Sequence, residues 1–129
     1  MLIDSDVLIW FIRGHPKATV RLALLPQWRI SIVTYMEIAQ GCHTKAELVQ
    51  TKKGLALRNT EIISASSTIS QLAADLIDSW AHSHGLRLAD ALIAATALEL
   101  NTPLITCNTK HFKHIPGLKI EPFLPQSDR

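Results

Sequence analysis

The stretch "LRLADALIAATALEL", residues 86–100, decides how this chain folds. From Ala91 to Leu98 it carries no charge, and its small and branched apolar residues suit a helix buried on nearly every side. Yet Asp90 stands at its head. A local role is available: an acid in the first turn faces the positive end of the helix dipole and unpaired N–H groups, worth about 0.3–1 kcal/mol. A role in chemistry requires other carboxylates at comparable places in the chain.

The flanking sequence supplies the fold class. Upstream, "STISQLAADLIDSWAHSHG" places Ile69, Leu72, Ala73, Leu76, Ile77 and Trp80 at amphipathic spacing, and Gly85 ends that helix. Downstream, "PLITC" reads as a buried strand, "NTKHF" as a short turn or helix, and "LKIEPF" as a last strand. Toward the start, "MLID" is a short strand, "DVLIWFIR" a helical or irregular segment, and "GHP" a turn. "KATVRLALL" predicts a helix, "RISIVT" (29–34) a β-branched strand, and "YMEIAQG" a helix closed by Gly41. "TKAELVQTKKGLALRN" continues as a charged helix and "EIISAS" (61–66) as a strand. Strands alternating with helices predict an α/β fold with a central, mostly parallel sheet and helices on both faces.

Composition sets the bounds. At 129 residues, with 47% hydrophobic but only 5% aromatic residues, the chain reads as a single domain, 1–129, cored by Leu, Ile, Ala and Val. The tail from about residue 122 is expected to be flexible. No apolar run approaches the ~20 residues of a membrane span and no signal peptide opens the chain, so no membrane role is expected. Cys42 and Cys107 lie far apart without metal spacing and read as reduced thiols of a cytoplasmic protein. The net charge of +2 permits nucleic-acid binding without demanding it.

In such folds function gathers past the carboxyl ends of the strands. Asp4, Ser5 and Asp6 follow the first strand, Glu37 lies one turn beyond "RISIVT", and Asn108, Thr109, Lys110 and His111 follow "PLITC". Each has a local reading. Asp4 and Asp6 suit turns and caps, "TYME" matches a capping box with Thr34 at the cap, and Asn108 or Thr109 suits an N-cap. Together, however, acids set around one end of a sheet repel one another unless cations offset them. Beside Asp4 and Asp90 the only basic neighbour in sequence is Arg87. A divalent metal is the natural partner, and all-oxygen ligands favour Mg²⁺ or Mn²⁺.

Four blocks, "MLIDSDVLIW", "SIVTYMEIAQG", "LRLADALIAATAL" and "LITCNTKHF", resemble in order and spacing those of PIN domains. The likeness is greatest to the VapC toxins of toxin–antitoxin pairs and runs from residue 1 to about residue 120. It implies a three-layer α/β/α domain, a Mg²⁺- or Mn²⁺-dependent endoribonuclease acting on an RNA substrate, a homodimer, and inhibition by a VapB-like antitoxin. Asp4, Glu37 and Asp90 match the family's first three acids and so its metal ligands. The chain departs at the fourth block, where many relatives carry an aspartate at the place of Asn108 or of His111. Asp6, where Asn is frequent, restores a charge nearby, so the catalytic set is Asp4, Asp6, Glu37, Asp90 and Asn108. In that reading Glu37 or Asp6 takes a proton from the attacking water, and the products carry a 5′-phosphate and a 3′-hydroxyl. Ser5 and Thr106 are expected to orient carboxylates, and Arg13, Arg87 and Lys110 to steer the RNA backbone.

Other features are read as structural. His82 and His84 suit a helix C-terminus, His111 and His114 lack further zinc ligands, and Trp10, Trp28 and Trp80 read as core or interface residues. The basic helix with Lys45, Lys52, Lys53 and Arg58 reads as a solvated face. The segment "VLIWFI", with Trp10 and Phe11, is a candidate dock for an antitoxin or a second protomer. Two rival functions remain: a catalytically degenerate PIN domain that binds RNA or protein, and a phosphohydrolase of the haloacid-dehalogenase type suggested by "IDSDV". The second rival needs a paired-acid block that "PLITCNTKHF" does not supply.

Overall fold

The computed structural model describes residues 1–126. Five short strands form one sheet in the order β3-β2-β1-β4-β5, every neighbouring pair parallel. They are β1 (Leu2–Ile3), β2 (Arg29–Ser31), β3 (Glu61–Ile63), β4 (Leu104–Thr106) and β5 (Ile120–Pro122). The helices are α1 (Ser5–Ile12), α2 (Pro16–Ala23), α3 (Ile32–Gly41), α4 (Lys45–Leu57), α5 (Ser67–His84), α6 (Leu88–Glu99) and α7 (Thr109–Phe112). The α/β/α expectation holds.

Alternation along the central strands divides the core in two, because successive side chains leave opposite faces of a sheet. Leu2 and Leu104 pack with Ile69, Ala73 and Leu76 of α5, the alanines of α6, and Phe112. Ile3, Ile30 and Ile105 pack on the other face with Val7, Leu8, Ala18, Leu22, Trp28, Ile38 and Leu55. Helix α6 is the most enclosed of the helices: Ala91 and Ile93 to Ala97 are all buried, as its sequence requires.

Several boundaries differ from expectation, each for a local reason. The strand read over 29–34 stops at Ser31, whose hydroxyl accepts the Val33 N–H at 3.0 Å and caps α3. The β-branched Ile32, Val33 and Thr34 therefore enter a helix, and Thr34 is a fully buried helix residue rather than a cap. The strand read over 61–66 ends at Ile63, since Ser66 caps α5 through the Ile69 N–H at 3.1 Å. The segment after Asp6 is helical, and His15 caps α2 with its ring nitrogen on the Lys17 N–H. The tail expected to loosen from about residue 122 is held further along. Pro122 lies in β5, Phe123 is buried, and the Phe123 N–H donates to the Thr106 carbonyl at 2.9 Å. Residues 127–129 of that tail lie outside the described residues. No described helix is long and apolar enough to cross a membrane.

Candidate active site

Four acids meet at the carboxyl end of the central strands. Parallel pairing of β1 with β4 sets Ile3 opposite Ile105, so the chains leave the sheet together at Asp4 and Thr106. Asp4 is the N-cap of α1 and only 5% exposed. One carboxylate oxygen accepts the Ser5 N–H at 2.8 Å and the other the Thr106 hydroxyl at 2.7 Å. Burial, then repulsion from Asp6, raises its carboxyl from 3.8 to about 7, with a smaller push from Asp90 and the two hydrogen bonds opposing.

Ser5 ties the first acid to the second. Its N–H serves Asp4, while its hydroxyl reaches Thr34 Oγ1 at 3.2 Å and makes a short bond to Glu37 Oε1. Glu37 itself is exposed on α3, beside a groove of about 650 Å³ that Ile9, Ile12, Arg13, Ile38, Cys42 and Thr51 help to line. The capping-box role for Glu37 is not formed, because Ser31 caps the helix and the glutamate turns to Ser5.

Asp90 occupies the first turn of α6, whose N-cap Arg87 makes no side-chain capping bond. Desolvation raises its carboxyl; His111 opposes that shift and Glu37 adds to it. Its Oδ2 lies 3.4 Å from His111 Nδ1. Asn108 also departs from its expected capping role: its side chain makes no cap bond, and its Nδ2 donates to Asp6 Oδ2 at 2.8 Å. The Cys107 N–H reaches the same oxygen at 3.2 Å. Asp6 is raised as well, chiefly by burial and against hydrogen bonding from the Cys107 and Val7 N–H groups, and its Oδ1 is buried without a hydrogen bond of good geometry. Burial and the neighbouring Asp6 push the Cys107 thiol up to about 12, so it stays protonated and unreactive.

Asp4, Asp6, Glu37, Asp90 and Asn108 are therefore brought together. Ser5 and Thr106 both hydrogen-bond the Asp4 carboxylate. Thr34 and the Cys107 N–H were not foreseen. A buried threonine in a β-branched run carries no sequence signal for such contact, and a backbone donor carries none at all. His111 and His114 part company, since His114 stacks on His84 at 4.2 Å between ring centres and packs against Trp80. Trp28 is buried and donates to the Leu22 carbonyl at 3.0 Å, a core role.

The donor set fits a hard divalent cation. Among the described residues no lysine or arginine pairs with Asp4, Asp6, Glu37 or Asp90. Hydrogen bonds to Asp4 and the His111 ring beside Asp90 offset part of the repulsion, and Asp4 and Asp90 both remain raised. Among the described residues no group of three or more His, Cys, Asp or Glu side chains is placed to hold a metal ion by itself. Mg²⁺ does not require one, since it keeps several waters and binds through one or two carboxylates.

The chain belongs to the PIN domain family, which matches residues 1–118. It is similar to ribonuclease VapC10 of Mycobacterium tuberculosis, 34% identical over 92% of this chain and 90% of the relative. Ribonuclease VapC of Rickettsia bellii is 27% identical over 93% of both chains. Among solved structures, a toxin–antitoxin complex from Klebsiella pneumoniae superposes with a TM-score of 0.78 at 34% identity, covering 96% of each chain. VapBC2 from Rickettsia felis, bound to a promoter DNA fragment, gives 0.79 at 28% identity, covering 95% of this chain and 98% of the other.

Proposed function

We propose that this chain is a Mg²⁺- or Mn²⁺-dependent endoribonuclease and the toxin member of a toxin–antitoxin pair. The observation that carries the reading is the buried Asp4 carboxylate at the end of the sheet, repelled by both Asp6 and Asp90, with no lysine or arginine ion-paired to any of the three among the described residues and only the His111 ring beside Asp90. The names of the similar proteins, ribonucleases and toxin–antitoxin complexes, support the substrate class and a VapB-like partner. Asp4 and Asp90 would hold the cation, with Glu37 as a ligand or through a bound water. When bound, such an ion supplies a water of lowered pKa and offsets negative charge at phosphorus.

The chain's own residues do the rest. Ser5 and Thr106 hold the Asp4 oxygens in place, so the carboxylate pays no reorganisation when charge develops. Glu37, exposed and hydrogen-bonded through one oxygen to Ser5, accepts a proton as water attacks phosphorus and the bond to the 3′-oxygen breaks, the departing 3′-oxygen taking its proton from solvent water. Arg13, which lines the groove beside Glu37, and Lys110 on α7 contact backbone phosphates, setting affinity rather than sequence choice. Of the apolar α1 segment expected to dock an antitoxin or a second protomer, Ile9 and Ile12 line that groove, while Trp10 packs on His15 and Phe11 on Trp28. A homodimer and a cytoplasmic location complete the proposal.

The test is cleavage of a mixed RNA by the antitoxin-free protein in Mg²⁺ or Mn²⁺, in EDTA, and with Asp90→Asn. Metal-dependent cutting that falls at least about 100-fold in the variant, with circular dichroism unchanged, is the expected result. A wild type that cuts none of several RNAs in either metal would establish a binding module instead.

A further inference from the structure

Asp6 is held firmly through one oxygen only. Two donors converge on Oδ2: the Asn108 amide at 2.8 Å and the Cys107 N–H at 3.2 Å. Both come from the turn after β4, about a hundred residues away in sequence, so the carboxylate is fixed across the seam between α1 and β4. Oδ1 is buried without a hydrogen bond of good geometry, its nearest donor being the Val7 N–H of its own helix. A buried carboxylate oxygen without a well-placed donor is costly, and this one belongs to the strongest like-charged neighbour of Asp4. Asp4 offers no relief, because its own oxygens are already engaged with Ser5 and Thr106. A single divalent ion between the two side chains would resolve both the repulsion and the poorly paired oxygen.

We propose that Asp6 is a further cation-facing carboxylate of this site and that Asn108 is its positioning residue, the amide holding Oδ2 so that Oδ1 turns to the ion shared with Asp4. The inference rests on the metal-dependent reading above and adds to it. An amide suits position 108 for a stated reason: an aspartate there would set a second carboxylate within contact of Asp6 Oδ2, whereas Asn supplies a donor. The clamp also accounts for a side chain at an N-cap position that does not cap its helix.

Calorimetric titration with Mn²⁺ alone, on the full chain and without RNA, tests this. Asp6→Asn keeps an acceptor for both clamping donors, so it should fold. It should weaken Mn²⁺ binding at least about tenfold while the metal-free melting temperature stays level or rises. Asn108 is exposed, and Asn108→Ala should weaken Mn²⁺ binding by a smaller factor, about threefold, without changing the metal-free melting temperature. Asn108→Asp should lower the metal-free melting temperature at pH 8 and recover it when Mn²⁺ is added. Mn²⁺ affinity unchanged in both Asp6→Asn and Asn108→Ala, with Asp4→Asn defective, would overturn the Asp6–Asn108 assignment and leave the site standing. A wild type that binds no Mn²⁺ would overturn the site itself.

Discussion

The two faces of the sheet are packed differently, and the difference separates stability from function. Under α5 and α6, alanines and Ile93 seal the sheet, and the gap beside Ala97 and Gly117 holds only about 20 Å³. Under α1, α3 and α4, open grooves of about 650 and 230 Å³ run from Glu37 past Gln50 and Thr51 to Trp28 and Arg58. Helix α4 buries only Leu55. Both faces are built from similar aliphatic residues. What differs is residue size at the contact: alanines let α6 lie close, while the second face leaves space that a partner or substrate can fill.

Truncating one side chain on each face should expose this contrast most strongly. Ile93→Ala, fully enclosed, should cost about 2–5 kcal/mol in urea denaturation. Leu55→Ala borders the groove, where neighbours can relax and water can enter, and should cost clearly less. Equal costs would erase the distinction between a sealed and an adaptable face.

A second effect arises where the faces meet. Asp4 titrates at about 7 in the folded chain against 3.8 unfolded, so between those values the folded state holds a proton that the unfolded state has lost. Stability of the metal-free protein should therefore fall as pH rises from about 4 to about 7, and Asp6 and Asp90, also raised, act in the same direction. Asp4→Asn should flatten that slope and raise the thermal midpoint at pH 8, and Mg²⁺ should oppose the loss in the wild type. A wild type that gains stability over this range would contradict the raised carboxyls of Asp4, Asp6 and Asp90.

The smallest effect belongs to the rim of the open face. Arg58 lies 4.8 Å from the Phe11 ring centre and 5.0 Å from that of Trp28. Arg58→Ala should cost about 0.5–1 kcal/mol, measured by the same denaturation. A larger loss would show that α4 is fastened more firmly than its single buried leucine suggests.

The sequence by itself determined the alternation of strands and helices, the burial of α6, and the placing of Asp4, Glu37 and Asp90 beyond strand ends. Those features follow from local periodicity and from where apolar runs stop. Tertiary structure decided the rest. Ser31 and not Thr34 starts α3, because capping depends on which residue leaves the strand with extended backbone. Thr34 became a buried neighbour of Ser5, and Asn108 gave up its helix to hold Asp6. Residues joining Asp6 to Cys107 and Asp4 to Thr106 are about a hundred positions apart and meet only through the β1–β4 register. Hydrogen-bond partners at that separation leave no periodicity for a sequence to display.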